Sequence, residues 1–283
     1  MSVQRHLLSA AVALALAPAA FAQDKAPTPT ALDTVIVTGT RVSDRTVAES
    51  QSPIDIITPE ALAATGTTEL ATALARALPS LNFPRPAMAD GTSGVRPAQL
   101  RGLSPDQVLI LVNGKRRHIS ALVNVNGTIG RGSSAVDLNT IPVAAIERVE
   151  VLRDGASAQY GSDAIAGVVN LVLKGSGRGG SIALGGGEYS EGDGTQWQVS
   201  GDAGLTLSQG GGTVHVAAQT GHQDMTNRSG PYQGTAPHTG NFPGVGEHAF
   251  KLGDPDVDQT AVSLNATFNV GENTHAYATF IGS

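Results

Sequence analysis

Three short stretches of the sequence carry residue types that could do chemistry. The run "GSGRGG", Gly175 to Gly180, has the G-x-G-x-x-G spacing that brings backbone amides to a dinucleotide pyrophosphate. The run "DPDVD", Asp254 to Asp258, resembles the first ligands of a calcium loop. The longer stretch "AAIERVEVLRDGASAQYGSDAIAGVVNLVLK", Ala144 to Lys174, sets charges and Tyr160 between two apolar runs, as an active-site turn would.

The first two stretches lack the context that their chemistry needs. A nucleotide fingerprint must open a helix, but "SIALGGGEYS" after Gly180 alternates like a strand, which favours a hinge. In "DPDVD", Gln259 stands where a calcium loop needs glycine and Asn265 where it needs glutamate. A structural turn is therefore the favoured interpretation, with loose cation binding left open.

No other pattern in the sequence predicts catalysis or a cofactor. The histidines form neither an H-x-x-x-H nor an H-E-x-x-H pair, so no zinc site is predicted. The serines lack a G-x-S-x-G elbow, and the absence of cysteine excludes disulfides, thiol catalysis and thiolate metal sites. We therefore expect a protein that is not an enzyme and has no cofactor.

Charge and the N-terminus narrow the class of protein further. A formal net charge of -6 gives no reason to expect a nucleic-acid partner, and the short basic run "GKRRH" is typical of a solvated turn. Residues 1–22 combine a basic start, an apolar core and an Ala-Phe-Ala site, the pattern of a secretory signal peptide. The sequence thus predicts an exported protein.

Residues 23–48 are predicted to be a flexible leader, because "QDKAPTPTALD" is rich in Pro and Thr and has no periodicity. A β-prone patch, "DTVIVTGTR" at Asp33 to Arg41, emerges from the leader. From composition alone it could be a small edge strand. It could also be a peptide that adds a strand to the sheet of another protein.

Residues 49–175 mix helical and strand signals and predict an α/β (α+β) domain. Thr58 followed by Pro59 is typical of a helix start. A second helix is expected from near Thr67, with Leu70, Leu74 and Leu78 on one face. The segment "QVLILVNGKRR" predicts an apolar strand that enters an Asn-Gly turn.

Residues 176–283 change to strict alternation, which predicts antiparallel transmembrane β-barrel strands. In "TAVSLNATFNV" Val262, Leu264, Ala266 and Phe268 alternate with small polar residues, and "QWQVSGDAGLTL" repeats the scheme. Short and long links follow each other, as they do when alternate turns face opposite sides of a membrane. Because five visible strands cannot close a barrel around a domain, we expect the barrel to be incomplete in this chain, which would be a fragment, or a truncated gene product, of a longer protein.

Two segments together resemble the plug domain of TonB-dependent outer-membrane receptors: "LRGLSPDQVLILVNGKRR" and "IPVAAIERVEVLRDGASAQYGSDAIAGVVNLVLK". The resemblance runs from about Asp33 to Lys174, and the alternating segment after it is compatible with the barrel of this family. It implies a barrel whose lumen is filled by an N-terminal plug, in the bacterial outer membrane and in contact with outer-membrane lipid.

The same resemblance assigns a partner to the leader. The patch Asp33, Thr34, Val35, Ile36, Val37 and Thr38 is similar to the TonB box, which such receptors offer to the TonB energy transducer of the inner membrane. Strand addition would then supply the affinity through backbone hydrogen bonds, with Val35 and Val37 giving side-chain recognition. The implied function is energised uptake of a scarce extracellular ligand such as a ferric siderophore or cobalamin.

The resemblance also implies roles for charged and aromatic residues. Glu147, Glu150, Arg153 and Asp154 match positions at which the family places charged residues of the plug against the barrel wall, where an ion-pair network would seat the plug. Ligand contacts are expected from the outward loops, where we single out Arg85, Arg131, Tyr232, His238 and Phe242.

Two other classes of protein stay open from the sequence. One is a non-transporting, adhesin-like outer-membrane protein with a vestigial plug. The other is a periplasmic α/β enzyme with a β-rich tail, which would be recovered in a soluble periplasmic extract.

Overall fold

The computed structural model describes residues 36, 38–39, 46–50, 52–65, 67, 69–84, 94–125, 129–207, 211–234, 246–248, 252–271 and 274–283. The predictions made for the signal peptide and for Asp33, Thr34, Val35, Val37, Arg85, His238 and Phe242 fall outside these residues. Within them the chain forms two five-stranded sheets and a two-stranded pair.

The first sheet, here called the mixed sheet, belongs to the N-terminal half. Its strands, in spatial order, are β1 (Ile54–Ile57), β6 (Ile146–Leu152), β7 (Gly167–Leu173), β4 (Val108–Val112) and β5 (Lys115–Arg116). β4 and β7 are parallel, and the other neighbours are antiparallel. The separate pair joins β2 (Leu81–Asn82) to β3 (Gln99–Leu100).

In the part of the chain that the structure describes, three α-helices accompany the mixed sheet: α1 (Pro59–Ala64), α2 (Leu70–Ala77) and α3 (Ser157–Tyr160). The predicted start of α1 is confirmed, because the Thr58 hydroxyl accepts a hydrogen bond from the Ala61 amide at 3.3 Å. α2 begins at Leu70 and not near Thr67, because Glu69 has extended backbone dihedrals and serves as the N-cap residue. Leu78 is likewise extended and ends the helix, so only Leu70 and Leu74 of the predicted stripe lie in α2 and are buried there.

The two faces of the mixed sheet are covered by different parts of the chain. One face packs against α1 and α2, and Val108, Ile110 and Val112 of β4 point into this first core. The opposite face forms a second core that includes Leu109 and Leu111. This division follows from strand geometry, since successive side chains point to opposite faces.

The second sheet, here called the antiparallel sheet, follows the chain order. Its strands are β8 (Gly180–Gly187), β9 (Gln196–Leu207), β10 (Gly212–Gln223), β11 (Val257–Asn269) and β12 (His275–Gly282). Its outer face is apolar, with Ile182 84% and Phe280 60% exposed, whereas His215 and Gln219 are buried on the other face. The predicted alternation is confirmed, and an exposed apolar face of this kind suits contact with lipid.

The polar face of the antiparallel sheet packs on the N-terminal half. The Gln219 side-chain oxygen accepts a hydrogen bond from the Val143 amide at 3.1 Å, and Lys174 Nζ lies 3.0 Å from Asp202 Oδ1. Ala217 belongs to the first core, and Ile281 packs against it. The antiparallel sheet therefore covers part of the first core of the mixed sheet. Among the described residues, no helix is long and apolar enough to cross a membrane.

Shortening one side chain in the first core tests this packing. Leu74 is fully buried, so Leu74→Ala should lower the local stability of the mixed sheet by about 2–5 kcal/mol through lost burial and a cavity. Hydrogen exchange of the β6 and β7 amides measures the change. Leu103→Ala at a 36% exposed site is the matched control, and equal exchange in the two variants would contradict the assigned core.

Candidate functional site

A part of the leader, residues 36 and 38–39, is docked on the second core of the mixed sheet. Ile36 is only 2% exposed, and Thr38 is fully buried. Ile36 belongs to the apolar cluster formed with Ile54, Leu152 and Val168. The leader residue therefore covers an apolar face that neither α1 nor the antiparallel sheet reaches.

A buried carboxylate holds the docked residues. Glu150 on β6 has no exposed surface, and its Oε2 accepts from both the amide of Thr38 at 3.0 Å and the hydroxyl of Thr38 at 2.6 Å. Its Oε1 accepts from Arg148 Nε at 3.0 Å, and Arg148 Nη2 lies 2.9 Å away. A carboxylate deprived of water needs such donors, because an unpaired buried charge is strongly destabilising.

A second contact fixes the turn that follows the docked residues. The amide of Gly39 donates to the Tyr160 hydroxyl at 2.9 Å. Gly39 has a φ of 74°, a left-handed conformation that glycine adopts without strain. Tyr160 is the last residue of α3. Sequence reasoning missed the contact of Tyr160 because its partner Gly39 lies 121 positions away along the chain. It missed Arg148 because the burial of its neighbour Glu150 depends on the distant leader.

The described part of the leader is in contact with the mixed sheet, and the flexibility of the leader as a whole stays a prediction. Ile36, Thr38 and Gly39 are packed and hydrogen-bonded, because β6 offers a buried acceptor beside an uncovered apolar patch. The stretch Thr46 to Glu49 is also ordered, as a 3-10 turn with a capping box. Composition indicated flexibility, since nothing in the local sequence shows the distant Glu150.

The four residues expected to seat the domain have partners that the resemblance did not imply. Glu150 contacts the leader and Arg148, so the expectation that it faces the barrel wall is corrected. Arg153 pairs with Asp55 of β1, and Asp154 accepts from the amide of Gly155 at 2.8 Å. Glu147 lies 3.1 Å from Arg148 and is half exposed beside the linker to β8. A seating role for Glu147, Arg153 and Asp154 stays a prediction.

Two of the expected ligand residues lie in described loops. Arg131 is exposed in a loop that is closed by the hydrogen bond from the Asn124 amide to the Ser133 carbonyl at 2.8 Å. Ile129 in the same loop is 43% exposed, so the loop offers both a cation and apolar surface. Tyr232 is half-buried and pairs through its backbone with Glu247 at 2.8 Å. Their contact with a ligand stays a prediction.

Comparison with protein families gives a match that covers most of the mixed sheet. The TonB-dependent Receptor Plug Domain matches residues 46–168. The ferric enterobactin receptor of Pseudomonas aeruginosa is 34% identical over 129 residues, which are 45% of this chain and 17% of that receptor. The vitamin B12 transporter BtuB of Vibrio vulnificus is 32% identical over 193 residues, which are 67% of this chain and 28% of that transporter. The chain thus spans less than a third of the length of either relative.

The fold is similar to that of solved receptors as well. A crystal structure of a ferric enterobactin receptor variant from Pseudomonas aeruginosa, in complex with enterobactin, superimposes with a TM-score of 0.62 at 20% identity. The match covers 82% of this chain and 33% of the receptor, so it includes strands of the antiparallel sheet as well as the plug. From the plug match, the relatives and the shared fold, we conclude that the chain belongs to the TonB-dependent receptors of the bacterial outer membrane.

Proposed function

We propose that this chain provides the plug and the first barrel strands of a transporter that takes up a scarce small ligand with energy delivered by TonB. The ligand class proposed is a ferric siderophore or cobalamin, in line with the names of the relatives. The patch Asp33 to Thr38 is the proposed docking segment for TonB, and no catalytic step is proposed. The single observation that carries the proposal is the attachment of Ile36 and Thr38 to the plug.

In this proposal the contact of Ile36 and Thr38 with the plug, here called the latch, contributes only a limited free energy. Burial of an Ile side chain stabilises by about 1.5–3 kcal/mol. A hydrogen bond to a charged group adds about 1.5–3 kcal/mol. The entropy lost when an extended segment is ordered offsets much of this, at about 1–2 kcal/mol per residue. The latch is therefore held by a net few kcal/mol, a size that a ligand can overcome.

A ligand can shift this equilibrium only if it binds the undocked state more tightly than the docked state. A shift from 1% to 99% undocked requires a difference of about 5.5 kcal/mol. Once undocked, the extended leader presents unpaired backbone groups to a strand edge of TonB, the usual mode of strand addition. Removal of Ile36 would also uncover the second core of the plug, so a pull on the leader would act directly on β1 and β6.

The outward side of the proposed transporter is formed by two loops, residues 188–195 and 224–256. Arg228 of the long loop pairs with Asp193 of the short loop and lies 5.7 Å from the centre of the Tyr189 ring. The Tyr189 hydroxyl donates to Asp254 Oδ2 at 2.9 Å. These contacts join the loops into one surface, which includes Tyr232 and would receive the ligand.

Replacement of the buried carboxylate tests the latch. In Glu150→Gln the side chain has one acceptor oxygen in place of two, so it cannot serve both Thr38 and Arg148. Loss of one charge-assisted hydrogen bond should raise hydrogen exchange at the Thr38 amide by roughly 10- to 100-fold. Glu147→Gln, on the same strand but half exposed, is the control. Unchanged exchange in Glu150→Gln would refute the latch.

Proline in the proposed TonB segment tests the transport role. Val35→Pro removes a backbone N–H and the strand conformation that TonB would pair with. In the producing organism we expect uptake of radiolabelled ligand to be lost while binding to the cell surface is retained. Lys25→Pro, upstream of the segment, should leave both unchanged. Normal uptake by the Val35→Pro strain would favour the non-transporting, adhesin-like alternative.

Acid should weaken the link between the two outer loops. The hydrogen bond from Arg228 lowers the pKa of Asp193 below its usual 3.8. The pair is therefore intact above the ordinary carboxyl pKa and is lost as pH falls through the lowered value. A carboxyl carbon NMR titration should show the pKa return toward 3.8 in Arg228→Gln but not in Arg178→Gln, at an exposed site in the linker. An unshifted Asp193 in the unaltered protein would contradict the pairing.

A further inference from the structure

Four ligand-type side chains meet where the long outer loop leaves and re-enters the antiparallel sheet. His222 is the penultimate residue of β10, and Asp258 stands opposite it on β11. Asp224 follows β10 directly, and Asp256 directly precedes β11. The acidic run 254–258, which could not be a calcium loop by its own spacing, is thus brought beside a histidine by strand pairing.

The donor atoms of this cluster are close enough to share one ion. One ring nitrogen of His222 and one carboxylate oxygen each of Asp224 and Asp256 all lie within 4.8 Å of one another. His222 Nε2 is 3.0 Å from Asp224 Oδ1. Ligands of zinc lie about 2.0–2.2 Å from the ion, so neighbouring ligands around it are separated by roughly 3.0–3.5 Å. The cluster needs only side-chain adjustments to reach that geometry.

The fourth residue orients the histidine in the way that metal sites require. His222 Nδ1 lies 2.9 Å from Asp258 Oδ1, and His222 Nε2 lies 3.0 Å from Asp224 Oδ1. A carboxylate can only accept, so each of these contacts needs a proton or a metal ion on the ring nitrogen. When Nδ1 keeps its proton for Asp258, Nε2 is the nitrogen that can bind an ion beside Asp224. Carboxylate–histidine–metal triads have this arrangement.

We propose that His222, Asp224 and Asp256 bind a divalent transition-metal ion, with Asp258 as the carboxylate that positions His222. Imidazole suits zinc and its neighbours, whereas calcium takes oxygen ligands alone, so the histidine selects the class of ion. The three carboxylates would also lose part of their mutual repulsion when the ion binds.

Such an ion would join the two ends of the long outer loop. Asp224 and Asp256 belong to opposite ends of that loop, and the Thr226 amide already donates to the Asp254 carbonyl at 3.1 Å. The ion would therefore reinforce an existing closure at the base of the loop. The alternative occupant of the same space is a proton, which would make His222 an imidazolium paired with Asp224 and Asp258. Metal and proton would then compete for Nε2.

Titration of the full chain with Zn2+ in detergent micelles, by calorimetry, tests the site. We expect one ion per chain, with affinity reduced at least 10-fold in His222→Asn and Asp256→Asn and about 10- to 100-fold in Asp258→Asn. His275→Asn is the matched control, because His275 pairs with Asn269 at the other end of β11, far from Asp258, and contacts the Asn269 side chain. The far-ultraviolet β signal checks the fold of each variant.

Three results would overturn the proposal. The first is the absence of stoichiometric Zn2+ binding, which leaves the proton as the occupant. The second is a Zn2+ affinity that His222→Asn does not lower, or a Ca2+ affinity equal to that for Zn2+. Either result indicates that the carboxylates bind the ion without the histidine. The third is an X-ray absorption spectrum of the Zn2+-loaded unaltered chain that lacks an imidazole ligand, a measurement that needs no variant to fold. None of these readouts involves uptake, so failure of the transport proposal would be seen separately.

Discussion

The hydrogen bonds between Glu150 and the leader are the interaction on which the architecture of the plug depends. A carboxylate in the middle strand of a three-strand segment, β1, β6 and β7, is removed from water and must be compensated. Arg148 supplies part of this compensation from the same strand, and Thr38 supplies the rest from a segment 112 positions away. Without Thr38 the buried carboxylate of Glu150 would lose two of its hydrogen-bond donors, so the folded plug depends on its own leader.

The apolar side of the same contact explains why the leader is placed there. A sheet with alternating side chains has two faces to cover, and the first face uses α1, α2 and the antiparallel sheet. Among the described residues, the second face is covered by α3, the turn after it, Val47 and Ile36. The segment that the proposed transporter would release is thus part of a core. Such a core is stable enough to hold the segment and small enough to be opened by a few kcal/mol.

The antiparallel sheet contributes in a different way. Its polar face meets the plug through amides, hydroxyls and single ion pairs such as Lys174 with Asp202, and few apolar side chains cross the boundary. An interface of hydrogen-bonding groups can be re-solvated, whereas an apolar interface resists separation from its partner. This composition fits a plug that is held against the antiparallel sheet mainly by hydrogen bonds and ion pairs, with only a few apolar contacts such as that of Ala217.

The sequence by itself determined the class of the fold. Local signals suffice for that: alternation in "TAVSLNATFNV", the Thr58-Pro59 helix start and the long plug-like stretch from Ala144 to Lys174 are each readable within one element. Only the tertiary structure decided what Glu150, Tyr160 and His222 contact. Their partners Thr38, Gly39 and Asp258 are distant along the chain and are brought close by strand pairing and burial. A periodic pattern shows which face a residue occupies, but the partner across that face depends on how separate elements pack.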